Sequence, residues 1–317
     1  GMFAEWQGAV GSLNSELGLR VDRHTSDVGE ASVGSALPPA PGMLAMAYNG
    51  VDRSFQDTGV DAVARFFTDE RDGFVWRFTL AHKTHAPTYL QRYGWMPIPA
   101  SGGLADGNTY VGNLDLELER ALIAEVGFDY FGDRFYARPT VYTRQVSDFV
   151  QGGPFDSTPG VIDTPQEMIS NMNGDPTPLR WANVDAEFYG LDVDFGYDFE
   201  GPLRFDGVLN YVRGKRGDVD DNLYRIAPPN LTGALTWQKD MWSASMEVRA
   251  VAEQDEVSAT NSEQPTPGYV TLGLFADWHM TQSVHVSVGV ENLFDHVYRD
   301  HLSGYNRNSG SDVAVGT

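Results

Sequence analysis

The stretch VHVSVGVENLFDHVYRDHLSGYNR, residues 284–307, decides how the rest of the chain is interpreted. Its first seven residues place valine at every second position, with His285, Ser287 and Gly289 between the valines. A period of two is typical of a β-strand that has one apolar face and one polar face. The pattern stops at the string NLFD, which begins at Asn292. The sequence therefore predicts a strand whose two faces meet different environments.

The same alternation recurs along the whole chain, always as pairs of strands joined by a very short turn. The pattern predicts twelve strands in six hairpins: residues 2–10 with 16–23, 60–69 with 74–83, 116–130 with 135–147, 191–199 with 203–213, 231–237 with 242–252, and 270–278 with 284–290. Long segments rich in Gly, Pro and Asn separate the pairs and are predicted to be loops: 29–59, 84–113, 151–182, 215–228 and 254–268. Alternating short turns and long loops indicate an antiparallel up-and-down all-β fold.

The composition excludes several classes of function. The 317 residues contain 22 Lys and Arg against 44 Asp and Glu, a formal net charge of −22. This balance argues against a nucleic-acid partner and against a polybasic membrane-surface protein. Cysteine is absent, so disulfides and thiolate metal sites are excluded. No catalytic frame such as G-x-S-x-G is found, so we expect neither an enzyme nor a bound cofactor.

Strand length and aromatic placement favour a transmembrane β-barrel over a soluble sandwich. Membrane strands need about 9 to 11 residues and soluble strands average about 5 to 6, and the alternation here holds for roughly nine or more. Aromatic residues flank the short turns, as in the girdles of outer-membrane barrels. They are Tyr130, Phe131, Phe135, Phe199, Phe205, Trp237, Trp242 and Trp278. In a barrel the polar face is expected to line the lumen, with candidates Asp192, Asp194, Asp198, His285 and Glu291.

Two segments resemble a known family. The string VENLFDHVY is similar to the NLFD-x-x-Y signature near the end of TonB-dependent outer-membrane receptors, through Glu291, Asn292, Leu293, Phe294, Asp295 and Tyr298. Residues 112–152 resemble the receptor pattern N-P-x-L-x-x-E followed by a hairpin, with Asn113, Leu116 and Glu119 matching. Pro139 departs from that pattern and predicts a bulge in the return strand.

The resemblance implies a 22-stranded barrel, plugged by an N-terminal domain, that takes up a scarce nutrient such as a metal chelate or copper with energy from TonB. The chain is then the C-terminal portion of such a barrel, about 12 of the expected 22 strands, without plug, N-terminal strands or last strand. Its implied partners are outer-membrane lipid, the plug and missing strands, TonB and a small-molecule or metal-chelate ligand, in a Gram-negative outer membrane. The alternatives are a passive porin and a soluble all-β binding module.

Candidate ligand contacts lie in the predicted loops. Methionine pairs can be soft ligands for copper, and two pairs occur, Met43 with Met46 and Met168 with Met172; loop methionines also serve as packing anchors. In the loop after NLFD, His301, Tyr305 and Arg307 either contact ligand or make hydrogen bonds between loops.

Two further groups are expected not to bind metal. His82 and His85 are three residues apart on a strand, so their side chains point to opposite faces. Asp218, Asp220 and Asp221 resemble a calcium loop in composition, but the glycine and closing glutamate of an EF-hand are missing, which favours a solvated loop.

Overall fold

The structure is a computed structural model that describes residues 1–34, 39–97 and 106–303, together with the backbone of 305–306 and 311–312. The strands of its main sheet are β1 (Met2–Val10), β2 (Leu13–Asp27), β3 (Ser54–Phe67), β4 (Phe74–His85), β5 (Tyr110–Val111), β6 (Glu119–Phe131), β7 (Phe135–Pro154), β8 (Leu179–Asp198), β9 (Leu203–Arg216), β10 (Asn230–Lys239), β11 (Trp242–Val251), β12 (Tyr269–Thr281) and β13 (Val284–Val290). A separate two-stranded ribbon pairs β14 (Tyr305–Asn306) with β15 (Ser311–Asp312).

Neighbours in the main sheet follow the chain order, β1-β2-β3-β4-β6 and onward to β13, and each of these pairs is antiparallel. The short strand β5 lies off this path and pairs with β8 in parallel. Within the described residues the twelve long strands form the predicted up-and-down wall. The all-β partial barrel is thereby confirmed.

The two ends of the wall differ as predicted, because the turns within hairpins are short and the connections between hairpins are long. The turn between β3 and β4 shows how the sequence makes a tight reversal. Asp72 and Gly73 both have positive φ, 54° and 81°, and the backbones of Arg71 and Phe74 exchange two hydrogen bonds of 3.0 Å across them. This is the type I′ geometry that matches strand twist.

Several strands are longer than the alternation predicts. Strands β7 and β8 each have 20 residues, so both ends of the predicted loop 151–182 are strand. The reason is a buried apolar cluster outside the hairpin pattern, formed by Tyr110, Leu116, Val150, Leu179 and Trp181. Burial of these side chains holds the β7–β8 hairpin together beyond the point where its neighbours end.

The long connections, predicted to be loops, also contain helices: α1 (Pro39–Asn49), α2 (Tyr89–Tyr93), α3 (Pro165–Met172) and a 3₁₀ turn (His301–Ser303). Capping boxes start two of them, since Thr88 pairs reciprocally with Gln91 and Thr164 with Glu167. That spacing is a readable helix-start signal. None of the helices in the described part of the chain has the length and hydropathy needed to span a bilayer.

The predicted bulge at Pro139 is wrong. Pro139 pairs with Val193 of β8 in continuous register, and the pairing of β7 with β6 keeps the same register on both sides of it. The irregularity lies between Val146 and Phe149, where Asp148 adopts a φ of 62°. Proline has no backbone N–H to donate, so it fits where the neighbouring ladder lacks a hydrogen bond. The ladder between β6 and β7 is interrupted at Pro139.

Candidate functional site

The strand register sorts the side chains of the wall onto two faces. Residues directly opposite in antiparallel strands share a face. The four valines of β13 lie with Trp278, Ala276 and Leu274 of β12 on what we call the apolar face. His285 and Ser287 lie opposite His279 and Asp277 on the polar face.

Four of the residues expected to line the lumen, Asp192, Asp194, Asp198 and His285, fall on the polar face by strand register, whereas Glu291 follows the end of β13. Asp192, Asp194 and Asp198 alternate along β8, and Arg138 and Arg204 of the neighbouring strands lie beside two of them. The Arg138 to Asp194 ion pair measures 3.5 Å and the Arg204 to Asp198 pair 3.8 Å. The aspartates of β8 therefore do not form an uncompensated acidic stripe, since basic residues from other strands share their face.

The NLFD segment ends β13 in a turn that is closed by hydrogen bonds from the Asn292 side chain. Asn292 has a φ of 47°, its Nδ2 donates to the carbonyl of His296 at 3.0 Å, and its Oδ1 accepts from the His296 amide at 3.0 Å. Tyr298 then stacks on Tyr269 of β12 with ring centroids 4.2 Å apart. Glu291 and Asn292 line a cavity of about 280 Å³ beside Arg249. The motif thus turns the chain back over the polar face.

A larger cleft lies among the long connections. Its volume is about 500 Å³, and α1, α2, α3, β3, β5 and β8 all contribute to its lining, including Tyr48, Phe55, Arg92, Trp95, Asp115 and Arg180. Tyr48 and Trp95 are in ring contact at 5.9 Å, and the Arg92 guanidinium lies 4.7 Å from the Phe55 ring centroid. Aromatic walls with a few charged groups are typical of ligand sites.

Arg92 fixes the floor of this cleft. Its side chain is 3% exposed; Nη1 donates to Asp57 at 2.6 Å and Nη2 to the carbonyl of Leu116 at 2.9 Å. The adjacent Tyr93 hydroxyl is 2.7 Å from the hydroxyl of Ser26. These bonds tie α2 to β2 and β3. The sequence interpretation missed Arg92 and Asp57, because nothing local marks two residues 35 positions apart as partners.

The structure brings the two methionine pairs into one region. Helices α1 and α3 contact each other, and they carry Met43 with Met46 and Met168 with Met172. All four side chains are exposed, Met46 and Met172 at 71% each. They are accessible to ligand and do not act as buried packing anchors.

A group of carboxylates that could hold a metal ion lies at the start of α3. Oxygens of Asp156, Asp163 and Glu167 lie within 4.8 Å of one another. Glu167 is also the capping residue, because its Oε2 accepts from the Thr164 hydroxyl at 2.8 Å and from the Thr164 amide at 3.0 Å. Desolvation and the Glu167 carboxylate raise the pKa of Asp163. These capping hydrogen bonds account for the position of the Glu167 carboxylate without a metal ion.

A buried polar network joins other connections into one assembly. The Asp106 carboxylate is 3% exposed and accepts from Tyr110 at 2.9 Å, Tyr224 at 2.7 Å and Asn108 at 2.9 Å. Burial and the nearby Asp106 charge raise the pKa of both tyrosine hydroxyls, which remain hydrogen-bond donors. Asn108 in turn donates to the carbonyl of Asn261 at 3.3 Å.

His301 belongs to this assembly. Its Nε2 lies 3.0 Å from Glu263 Oε1 and its Nδ1 lies 3.1 Å from the Thr266 hydroxyl, with the imidazole buried. The contact is therefore of the loop-to-loop kind. Tyr305 lies in β14, and its side chain is outside the described part of the structure, as is the whole of Arg307.

The interpretation of Asp218, Asp220 and Asp221 as a solvated loop needs correction for one member. Asp221 accepts hydrogen bonds from the amides of Asn222, Ala259 and Thr260 at 2.9, 2.8 and 3.0 Å and from the Ser258 hydroxyl at 3.2 Å. It ties two connections together, whereas Asp218 pairs with Arg216 at 2.5 Å. His82 lies on the apolar face and His85 on the polar face.

We predict that the Asp221 tether loosens in acid. Burial by itself raises the pKa of Asp221, but hydrogen bonds from Thr260, Ala259 and Asn222 outweigh it and hold the pKa below its ordinary value of 3.8. Its stabilisation is present above that value and is lost as the pH falls through the lower, folded pKa. Hydrogen exchange of residues 254–268, corrected for intrinsic rates, should accelerate as the pH is lowered from 5 through the folded pKa of Asp221. Asp221→Asn should exchange faster at pH 5 and show no acid step; an identical profile would contradict the tether.

Long strands, opposed apolar and polar faces, short turns at one end and long connections at the other are features of outer-membrane β-barrels. The family model described as TonB dependent receptor-like, beta-barrel matches residues 1–293. This chain therefore belongs to the TonB-dependent receptor β-barrel family.

Individual relatives agree with this assignment. The chain is similar to the ferrienterobactin receptor of Escherichia coli (strain K12), with 23% identity over 71% of this chain and 30% of that protein. Among solved structures it is similar to the copper transporter OprC, with a TM-score of 0.75 and 22% identity over 99% of this chain and 44% of the other. It is also similar to the FrpB iron transporter from Neisseria meningitidis, with a TM-score of 0.64 and 14% identity over 98% of this chain and 43% of the other. The chain thus spans less than half the length of these proteins.

Proposed function

We propose that this chain forms part of the barrel wall of an outer-membrane transporter that takes up a metal chelate such as a siderophore, or copper, with energy supplied through TonB. The observation that carries the proposal is the family match over residues 1–293, joined to a wall with one apolar and one polar face. The apolar face meets outer-membrane lipid of a Gram-negative bacterium. The polar face lines the lumen, with Asp192, Asp194, Asp198, His285 and Glu291 as its contacts.

The proposed partners lie outside this chain. A plug domain and the remaining strands close and fill the barrel, and TonB acts through that other part of the protein. The chain itself catalyses no reaction. The relatives named above support two cargo classes, since they are called a ferrienterobactin receptor and a copper transporter. The aspartates of the polar face favour cationic or neutral cargo over polyanions, and the ion pairs of Arg138 and Arg204 reduce that preference.

We assign ligand contact to the long connections. The 500 Å³ cleft beside Arg92 and Trp95 offers aromatic and charged contacts for an organic chelate. The exposed methionines of α1 and α3 offer thioethers, which are ligands that copper in its reduced state prefers. His301, Tyr305 and Arg307 complete the candidates, with His301 acting through the position of the connection that follows β13.

The test is uptake by a strain that carries the full-length receptor as its sole receptor for the cargo. Ferric enterobactin and copper uptake are each measured with TonB present and deleted. We expect one of the two to fall to the level of a receptor-free strain when TonB is deleted. If copper is the cargo that depends on TonB, replacing Met43, Met46, Met168 and Met172 together by leucine should abolish its uptake; if ferric enterobactin is, the same variant should leave its uptake unchanged. Uptake that persists without TonB would instead indicate a passive porin.

A further inference from the structure

We propose that His279 and His285 form a binding site for a divalent transition-metal ion, of the Cu²⁺, Ni²⁺ or Zn²⁺ class. The two residues are direct partners in the register of β12 and β13, and their ring centroids lie 4.3 Å apart. Both side chains lie on the polar face and are exposed. This pair is separate from the cleft and methionine helices, which lie among the long connections.

The backbone pairing explains why the rings are so close. The amide of His279 donates to the carbonyl of Met241, so the hydrogen-bonding edge of His279 points away from β13. His279 and His285 are therefore a non-hydrogen-bonded pair, the type in which the Cα atoms approach to about 4.5 Å and the side chains lie nearest. Two imidazoles in this geometry can reach one ion from neighbouring strands.

The turn beside the pair fixes its geometry. The Thr281 hydroxyl accepts from the amides of Ser283 and Val284 at 3.2 and 3.1 Å, and the register shifts between His279 and Thr281. This irregularity closes the hairpin directly after the histidine row. β12 also pairs with β11 in continuous register, so the backbone that carries His279 is held on both sides, which reduces the conformational entropy lost on binding.

The chemistry of the surroundings favours a cation. The next row on the same face holds Asp277, whose Oδ1 accepts from the Ser287 hydroxyl at 2.6 Å. Neither imidazole ring has a hydrogen-bond partner within residues 1–34, 39–97 and 106–303. Imidazole nitrogen is a ligand that suits Cu, Ni and Zn, whereas Ca²⁺ and Mg²⁺ prefer oxygen. The rival account is two neutral rings that pack together and bind nothing.

The histidine pair lies at the short-turn end of the sheet. The pair lies beside the short connection 282–283, and short connections face the periplasm in outer-membrane barrels. Ion binding itself requires only the two rings, while the position at the inner mouth of the lumen rests on the proposed function. A failed uptake experiment would therefore leave the binding test intact, and a failed binding test would leave the uptake proposal intact.

The test is a Cu²⁺ titration of the tag-free, full-length receptor in detergent, followed by electron paramagnetic resonance and calorimetry. We expect one Cu²⁺ with nitrogen ligands, and a weaker affinity for Zn²⁺ at the same site, as the Irving–Williams order requires. His279→Asn and His285→Asn should each weaken binding at least about tenfold, because loss of even an outer-shell partner costs roughly 10–100-fold. His24→Asn removes a single exposed histidine from the polar face and serves as the matched control, with binding unchanged.

Three outcomes would overturn the proposal. They are a wild-type receptor that binds no Cu²⁺, two variants with wild-type affinity, or weakening in only one variant, which would indicate a single-histidine contact. Heat-dependent migration on gels establishes that each variant retains a folded barrel, so a loss of binding reports on the site.

Discussion

Replacing Arg92 by alanine is expected to detach α2 from the wall and open the 500 Å³ cleft. The guanidinium is 3% exposed and lies 2.6 Å from Asp57, which is itself 16% exposed. Removing one partner of a buried ion pair costs about 3–5 kcal/mol, since the other charge is left desolvated and unpaired. Because 1.4 kcal/mol is a factor of ten, the population of the detached segment should rise by at least about two orders of magnitude. Hydrogen exchange and limited proteolysis of residues 86–118 in the full-length receptor measure this.

The matched control is Arg71→Ala at the short turn between β3 and β4. Arg71 and Asp72 also form an ion pair, at 3.9 Å, but both side chains are at least 90% exposed. Exposed pairs contribute little, because water solvates both charges whether or not they meet. We expect no change in exchange or cleavage. Faster exchange confined to residues 86–118 in Arg92→Ala supports the assignment, and equal behaviour of the two variants contradicts it.

The wall could be predicted from the sequence because its information is local. The valines of β13 and the alternation of β8 indicate which residues share a face, and the pair Asp72 and Gly73 indicates a tight turn between strands. The proposed assignment puts the apolar face against lipid in every strand, which requires the period of two to be kept along the chain. Twelve strands and their order follow from these signals and agree with the structure.

The connections could not be predicted in the same way, because their structure depends on partners far apart in the chain. Asp106 meets Tyr224 across 118 positions, and no periodicity announces that contact. The clue for α3 was present, since Thr164 and Glu167 have capping-box spacing. The rings of His279 and His285 could be paired only once the register of β12 with β13 was known. Contacts that depend on strand register or on distant partners have no local signal in the sequence.

The assignment of the two faces has a direct consequence that adjacent residues of β13 can test. Val288 lies opposite Ala276 on the apolar face, and Ser287 lies opposite Asp277 on the polar face. Val288→Lys places a charge against lipid, which costs about 2–4 kcal/mol near the bilayer midplane and less near the interfaces. Ser287→Lys places the same charge in an aqueous lumen beside a carboxylate. We therefore expect Val288→Lys alone to reduce assembly strongly.

The measurement is refolding of the full-length receptor into lipid vesicles across a urea series, with the folded fraction read from heat-dependent migration on gels. The midpoint for Val288→Lys should shift to lower urea, while Ser287→Lys should match the wild type. The two variants carry the same side chain on neighbouring residues, so the added charge and the place in the strand are the same. The loss of valine's strand propensity amounts to at most about 1 kcal/mol, less than the cost expected for a charge against lipid. A similar loss in both variants would mean that the polar face is not open to water, and the lumen assignment of His285 and Glu291 would fall with it.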